Sequence, residues 1–172
     1  MLALLLLAGC ATRAPLPVGS GAASLQAAQL WSLDGKLGIK AADQSGNLGL
    51  RWEQDHDAYN IGLYGPLGVT VARISGDGQG ATLELPDQPG RQAGNPEALV
   101  QAALGYPLPV TPMQYWVRGM PAPGLPVDIH KAGFRQLGWD VTIRQQGPAG
   151  PLKIQLQRPE VRLLLVVKEW RF

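Results

Sequence analysis

Trp31-Ser32-Leu33-Asp34-Gly35-Lys36-Leu37-Gly38-Ile39-Lys40 sets apolar residues and one glycine at every second position, with mostly polar residues between them. Successive side chains of a strand leave on opposite faces, so this period of two reads as a half-buried β-strand. The neighbouring stretches continue the pattern. Leu48, Leu50 and Trp52 alternate with Gly49, Arg51 and Glu53, and Tyr59, Ile61 and Leu63 alternate with Asn60, Gly62 and Tyr64. Val69 to Ile74 and Ala81 to Leu85 add two more strands, with turns expected at Asp43-Gln44-Ser45-Gly46 and Ser75-Gly76-Asp77-Gly78. Strands in succession joined by short loops make an antiparallel meander.

Helices interrupt the meander. A short one is expected over Ala22 to Leu30, ahead of the first strand. Asn95-Pro96-Glu97 starts a second, with a capping residue, Pro at the first helical position and an acid in the first turn. Its apolar face is Leu99, Val100, Ala103 and Leu104, and Gly105 ends it. Thr111-Pro112-Met113-Gln114 starts a third with a capping box, and Tyr115, Trp116 and Val117 follow before Gly119. Further strands are expected at Phe134 to Leu137, Trp139 to Arg144, Leu152 to Gln157 and Val161 to Trp170. The last is apolar on both faces, with Val161, Leu163, Leu165 and Val167 on one and Leu164 and Val166 on the other. This predicts a central strand with core on one side and something apolar on the other. Eight or so antiparallel strands with a helical insertion suggest a mostly β fold: a curved sheet or partly closed barrel, with helices that either fill its concave face or cover a cavity there. An apolar cavity of that kind suits acyl chains.

A chain of 172 residues, 45% of them hydrophobic, supports one domain with a real core. Lys and Arg number 15 against 13 Asp and Glu, with no basic run, which excludes the footprint of a nucleic-acid binder. The single cysteine, Cys10, excludes a disulfide framework and a cysteine-based metal cluster.

Cys10 ends the run Met1-Leu2-Ala3-Leu4-Leu5-Leu6-Leu7-Ala8-Gly9. This apolar stretch is far shorter than the roughly 20 residues of a membrane span and fits the core of a signal peptide. No basic residue precedes it, so a start upstream of Met1 is expected. Leu7-Ala8-Gly9-Cys10 resembles the lipobox of bacterial lipoproteins, which implies that residues 1–9 are cleaved and Cys10 becomes a diacylated N-terminus. Residue 11 is Ala, where the inner-membrane retention signal of Gram-negative lipoproteins has Asp, and this favours the outer membrane. Residues 10–23 then form a lipidated linker, and 24–172 the folded domain.

The turn Gly65-Pro66-Leu67-Gly68 carries Pro and Gly where a type I turn favours them, which leaves Leu67 at the third position, near the tip. Leu67 either folds back on the core or stands in water. Tyr59, Ile61 and Leu63 already supply the core face of the preceding strand, which favours exposure.

Catalytic motifs are missing: there is no G-x-S-x-G, H-E-x-x-H, phosphate-binding glycine loop or S-x-x-K. Glu53-Gln54-Asp55-His56-Asp57 could serve acid–base work or a hard metal, but its place between two strands favours a solvated turn. His130 has no acidic or cysteine neighbour in sequence and reads as a surface or strand-edge residue. Arg118, Arg144 and Lys168 could hold head groups, though nothing singles them out. No catalytic residue, metal or cofactor is expected.

The lipobox, WSLDGKLGI (31–39), GNLGLRWEQ (46–54), YNIGLYGPLGV (59–69), a helix before LPV (108–110), YWVRGMPAPG (115–124), GWDVTI (138–143) and a last strand reaching KEW (168–170) together resemble the LolB family. The order and spacing match over nearly the whole chain after Cys10. Two departures are the missing basic segment before the apolar run and a short Gln146-Gly147-Pro148-Ala149-Gly150 connection. The resemblance implies an incomplete, unclosed antiparallel β-barrel with a helical lid over an apolar cavity. It implies a monomer, lipid-anchored in the outer membrane and facing the periplasm. Such a protein would take lipidated cargo lipoproteins from the periplasmic carrier LolA by cavity-to-cavity contact and release them into the outer membrane's inner leaflet, without nucleotide. Trp52, Leu63, Trp116, Leu163 and Leu165 are then expected to line or border the cavity. Pro66 and Leu67 match the family's protruding loop, with Leu67 entering the membrane surface. The readings weighed against this one are an outer-membrane scaffold lipoprotein without a cavity and a periplasmic hydrolase using Glu53 and His56.

Overall fold

The computed structural model describes residues 21–41, 45–104 and 108–172. Cys10, most of the linker, Asp43, Gln44 and Gly105 lie outside the described residues. Three helices and eleven strands follow in order: α1 (Ala22–Ala27), β1 (Leu30–Ala41), β2 (Ser45–Asp55), β3 (Ala58–Tyr64), β4 (Thr70–Gly76), β5 (Ala81–Glu84), β6 (Arg91–Ala93), α2 (Pro96–Leu104), α3 (Val110–Trp116), β7 (Asp128–His130), β8 (Gly133–Gln136), β9 (Trp139–Gln146), β10 (Pro151–Arg158) and β11 (Val161–Arg171). All neighbours pair antiparallel in one sheet of order β6-β5-β4-β3-β2-β1-β11-β10-β9-β8-β7. The chain thus builds one half of the sheet outward from β1, crosses through α2 and α3, and builds the other half inward to β11. The first and last strands meet in the middle, and β6 and β7 are the two edges of an unclosed barrel, unpaired among the described residues.

Alternation in 31–40 becomes the inner face of β1, where Trp31, Leu33 and Leu37 are buried. The expected central place of the last strand holds, since β11 lies between β1 and β10 with Leu163 and Leu165 buried inward. Its other face differs from expectation: Val166 is 39% exposed, and no apolar layer among the described residues covers it. Register places Val166 between Lys36 and Lys153, whose aliphatic stems can shelter an outward valine. The nine stretches read as strands are all present, and β6 and β7 add two beyond the eight or so expected in all. Each has only three residues and too few apolar positions to show a period.

Two local readings are corrected. Asn95 caps α2 as expected, its Oδ1 accepting from the N–H groups of Glu97 at 2.8 Å and Ala98 at 3.3 Å. The Thr111–Gln114 capping box does not form: α3 begins at Val110 with Pro109 before it, and the Thr111 N–H donates to Glu97 Oε1 of α2 at 2.8 Å. A carboxylate from the facing helix has taken the role that the local motif would have filled. The first helix ends at Ala27, three residues short, because Leu30 already pairs with Asp55 in β2.

Rings pack in two groups, one where β1 starts and one between α3 and strands β8 and β9. Trp31 lies 5.5 Å from Trp52 and 5.8 Å from Trp170 between centroids, and Trp116 lies 6.5 Å from both Phe134 and Trp139. Three of the indole nitrogens have partners: Trp170 Nε1 donates to the Pro151 carbonyl, Trp116 Nε1 to Gln136 and Trp52 Nε1 to Gln54. Arg118 is buried beside them, with no carboxylate partner among the described residues. Its guanidinium donates to the carbonyls of Leu25, Gln26 and Ala28 and lies 5.4 Å from the rings of Trp31 and Tyr115, which fastens α1 to the end of α3. Burial holds its pKa below the usual arginine value. Gly150 lets α1 dock: a Cβ there would run into Leu25 and Trp170.

Candidate functional site

At the opposite end of the sheet the packing is incomplete. Between the concave sheet and the two lid helices lies a cavity of about 180 Å³ walled entirely by apolar side chains. Its strand wall includes Leu37, Leu50, Ile61, Ile74, Leu83 and Leu165, inward residues of six alternating strands. Its helical wall is Val100 and Ala103 of α2, Val110 and Met113 of α3, and Val117 just beyond. Met113 and Val117 share one helix face at i, i+4 spacing, the face that α3 turns to the sheet.

Of the residues named from sequence, Trp52, Leu63 and Leu165 line this cavity. Trp52 forms its inner limit, since its ring also stacks on Trp31. Trp116 and Leu163 are fully buried but are not part of the lining. Trp116 is next to Val117 in sequence yet leaves the helix on another side, toward Phe134, Trp139 and Gln136. Leu163 pairs with Ile39 and Leu156, both of which do line the cavity. The residues that sequence reading missed divide in two. Met113 and Val117 were visible as an apolar helix face, whereas Val71, whose strand alternation points outward, was not.

The Leu67 loop stands at the same end of the sheet. Gly65 N–H donates to the Val69 carbonyl at 2.8 Å and Gly68 N–H to the Gly65 carbonyl at 3.2 Å, closing a tight turn. Leu67 is 102% exposed, and its backbone is left-handed at φ 61°, ψ 15°. That corrects the type I turn, whose third residue needs φ near −90°. A left-handed conformation costs a leucine on the order of 1 kcal/mol. The molecule therefore holds an apolar side chain both in water and in a disfavoured backbone state, a combination associated with a functional role.

The polar candidates are elsewhere. Glu53 faces outward, and His56 sits in the turn between β2 and β3 with Nδ1 2.8 Å from Asp55 Oδ1 in solvent. His130 lies on the edge strand β7, 3.6 Å from Asp140. No group of His, Cys, Asp and Glu able to hold a metal occurs among the described residues. Arg118, with its donors held by backbone carbonyls, is removed from the head-group candidates. A second crevice of about 170 Å³ lies by Tyr59, but Gln54, Asp57, Asp77 and Gln114 make its wall polar. Burial, with help from Glu97 and Asp77, pushes the Tyr59 hydroxyl up to about 12, so it stays neutral.

Comparison with known proteins bears on this arrangement. The family model described as outer membrane lipoprotein LolB matches residues 29–170. The outer-membrane lipoprotein LolB of Pseudomonas fluorescens Pf-5 is 39% identical over 150 residues, covering 81% of this chain and 73% of its own. That of Stutzerimonas stutzeri A1501 is 37% identical, covering 97% and 91%. In fold, the chain is similar to the crystal structure of a LolA superfamily protein from Nitrosomonas europaea, at a TM-score of 0.52 and 10% identity, covering 88% of this chain and 93% of that one. The matched span takes in the cavity wall, both lid helices and the Leu67 loop, and the chain belongs to the LolB family of outer-membrane lipoproteins.

Proposed function

We propose that this chain accepts lipidated proteins from the periplasmic carrier LolA, holds their acyl chains in the apolar cavity, and inserts them into the inner leaflet of the outer membrane. The observation that carries this reading is the cavity wall, which is aliphatic and aromatic throughout and offers no polar group to a ligand. An acyl chain has no hydrogen-bonding group to recognise, and it gains about 0.8 kcal/mol for each CH₂ removed from water. A volume of about 180 Å³ is smaller than the usual 300–1,000 Å³ of a ligand site, so α2 and α3 must shift outward to admit a whole chain. They are joined to the sheet by apolar contacts over the cavity, which can slide, while Arg118 and Trp116 secure the far end of α3.

Members of the LolB family work in lipoprotein trafficking, and each step can run downhill without nucleotide if the cavity binds acyl chains more tightly than the carrier and less tightly than the bilayer. Lipidation at Cys10 would keep the domain at the membrane, where residues 10–20 span at most about 35 Å. Leu67 could then enter the head-group region, with Pro66 stiffening its approach. Burying one leucine contributes about 1.5–3 kcal/mol, too little for an anchor but enough to direct release. In a transfer assay with lipoprotein-loaded carrier and phospholipid vesicles, Leu67→Asp should accept cargo normally and insert it about ten-fold or more slowly. Insertion at the parental rate would contradict the assignment of Leu67, and failure of the parent to take cargo would contradict the whole reading.

A further inference from the structure

Val71 occupies a place that neither the cavity nor the loop alone accounts for. In the β3–β4 ladder Leu63 pairs with Ala72, but the next pair is Tyr64 with Thr70, so Val71 is the extra residue of a β-bulge. In an unbroken strand Val71 would face outward with Arg73, away from the inward Ala72 and Ile74. A bulge re-aims one side chain, and Val71 forms part of the cavity wall while 39% of it remains exposed. It also reaches the base of the loop, since a Cβ on Gly65 would stand 3.2 Å from Val71 Cγ2. Exposure falls in steps along the chain, from 102% at Leu67 to 64% at Val69 and 39% at Val71. Residues 65–72 carry no charged side chain, and Leu48, Leu63 and Leu85, half-buried members of the cavity wall, lie at the same end of the sheet.

We propose that Val71 is the threshold of the cavity, the residue across which acyl chains pass from the interior toward the Leu67 loop. The proposal rests on the acyl-binding reading and assigns Val71 a role apart from that of Leu67: Val71 governs leaving the cavity, and Leu67 governs arrival in the membrane. A carboxylate at the threshold must be desolvated against each passing chain, whereas a threonine keeps the shape of valine and adds one hydroxyl.

The lipidated protein is loaded with a fluorescent long-chain fatty acid. Release is followed into phosphatidylethanolamine/phosphatidylglycerol vesicles and, separately, into a soluble fatty-acid acceptor. Val71→Asp should slow uptake and release of the probe alike, each about ten-fold and with either acceptor, and Val71→Thr should fall between Val71→Asp and the parent. Leu67→Asp should be slow with vesicles alone. Normal release from folded Val71→Thr and Val71→Asp overturns the threshold, as does slowing confined to vesicles or slower release without slower uptake. A parent that binds no probe overturns the acyl-binding reading itself, a separate result from any of these.

Discussion

The two ends of the concave sheet are packed on different plans. Where β1 begins, the rings of Trp31, Trp52 and Trp170 pack together, the indole nitrogens of Trp52 and Trp170 have partners, and Arg118 ties α1 to α3. Where β1 ends, apolar side chains of seven strands and two helices surround space that none of them fills. Directional hydrogen bonds and ring contacts make a wall that keeps one geometry. Aliphatic contacts without polar partners can slide and re-form, which is what a site that must open and refill requires. The contrast teaches that the void is placed in the part of the core where opening it strands no polar group.

Truncation should separate the ends most clearly. Trp116→Ala at the fixed end removes a fully buried ring and should cost about 3–5 kcal/mol in denaturant unfolding. Met113→Ala on the lid removes atoms that already border empty space, and should cost about 2 kcal/mol, the low end for that change. It should also bind a fluorescent acyl probe at least as tightly as the parent. Equal costs at both sites, or weaker binding by Met113→Ala, would break the comparison.

Much of the fixed end and the strand wall was legible because a period of two survives wherever one face is buried. Trp31, Leu33, Leu50, Ile61 and Leu165 declare their face by position alone. What was not legible depended on partners distant in sequence. The Thr111 N–H is satisfied by Glu97 fourteen residues away, and β6 and β7 exist because a longer strand is present for them to pair with. Val71 lines the cavity only because the register slips at Leu63/Tyr64, and a slip depends on two strands at once. Trp116 illustrates a different limit: its burial could be read from its chemistry, but its direction is decided by the hydrogen bond to Gln136. The exposure of Leu67 followed from the surplus of core residues in β3. Its left-handed backbone did not, since leucine has no preference for it.

A smaller effect should appear on the outer face near the tryptophan end. Burial raises the pKa of Asp34, but the bonds from Arg171 and Arg51, each 2.8 Å, outweigh it and hold the carboxyl below its usual range. The folded-state pKa being depressed, this stabilisation is present above the unfolded-state value of about 4 and fades as the pH falls through the folded-state value. Asp34→Asn should therefore cost under about 1 kcal/mol at neutral pH, as Arg51 is largely exposed, and the deficit should vanish in acid. A deficit independent of pH would contradict the ion-pair account without touching the cavity.

The central claim, that acyl chains occupy the space between the lid and the sheet, is tested most directly by photo-crosslinking. A photoreactive side chain replaces Leu63 on the cavity wall in one protein and Val166 on the outer face of the same sheet in another. Each is given lipoprotein on its carrier, with labelled acyl chains. Acyl-chain adducts are expected from position 63 and none from position 166, diminished at 63 when excess fatty acid competes. No adduct at 63, or equal adducts at both, would contradict it.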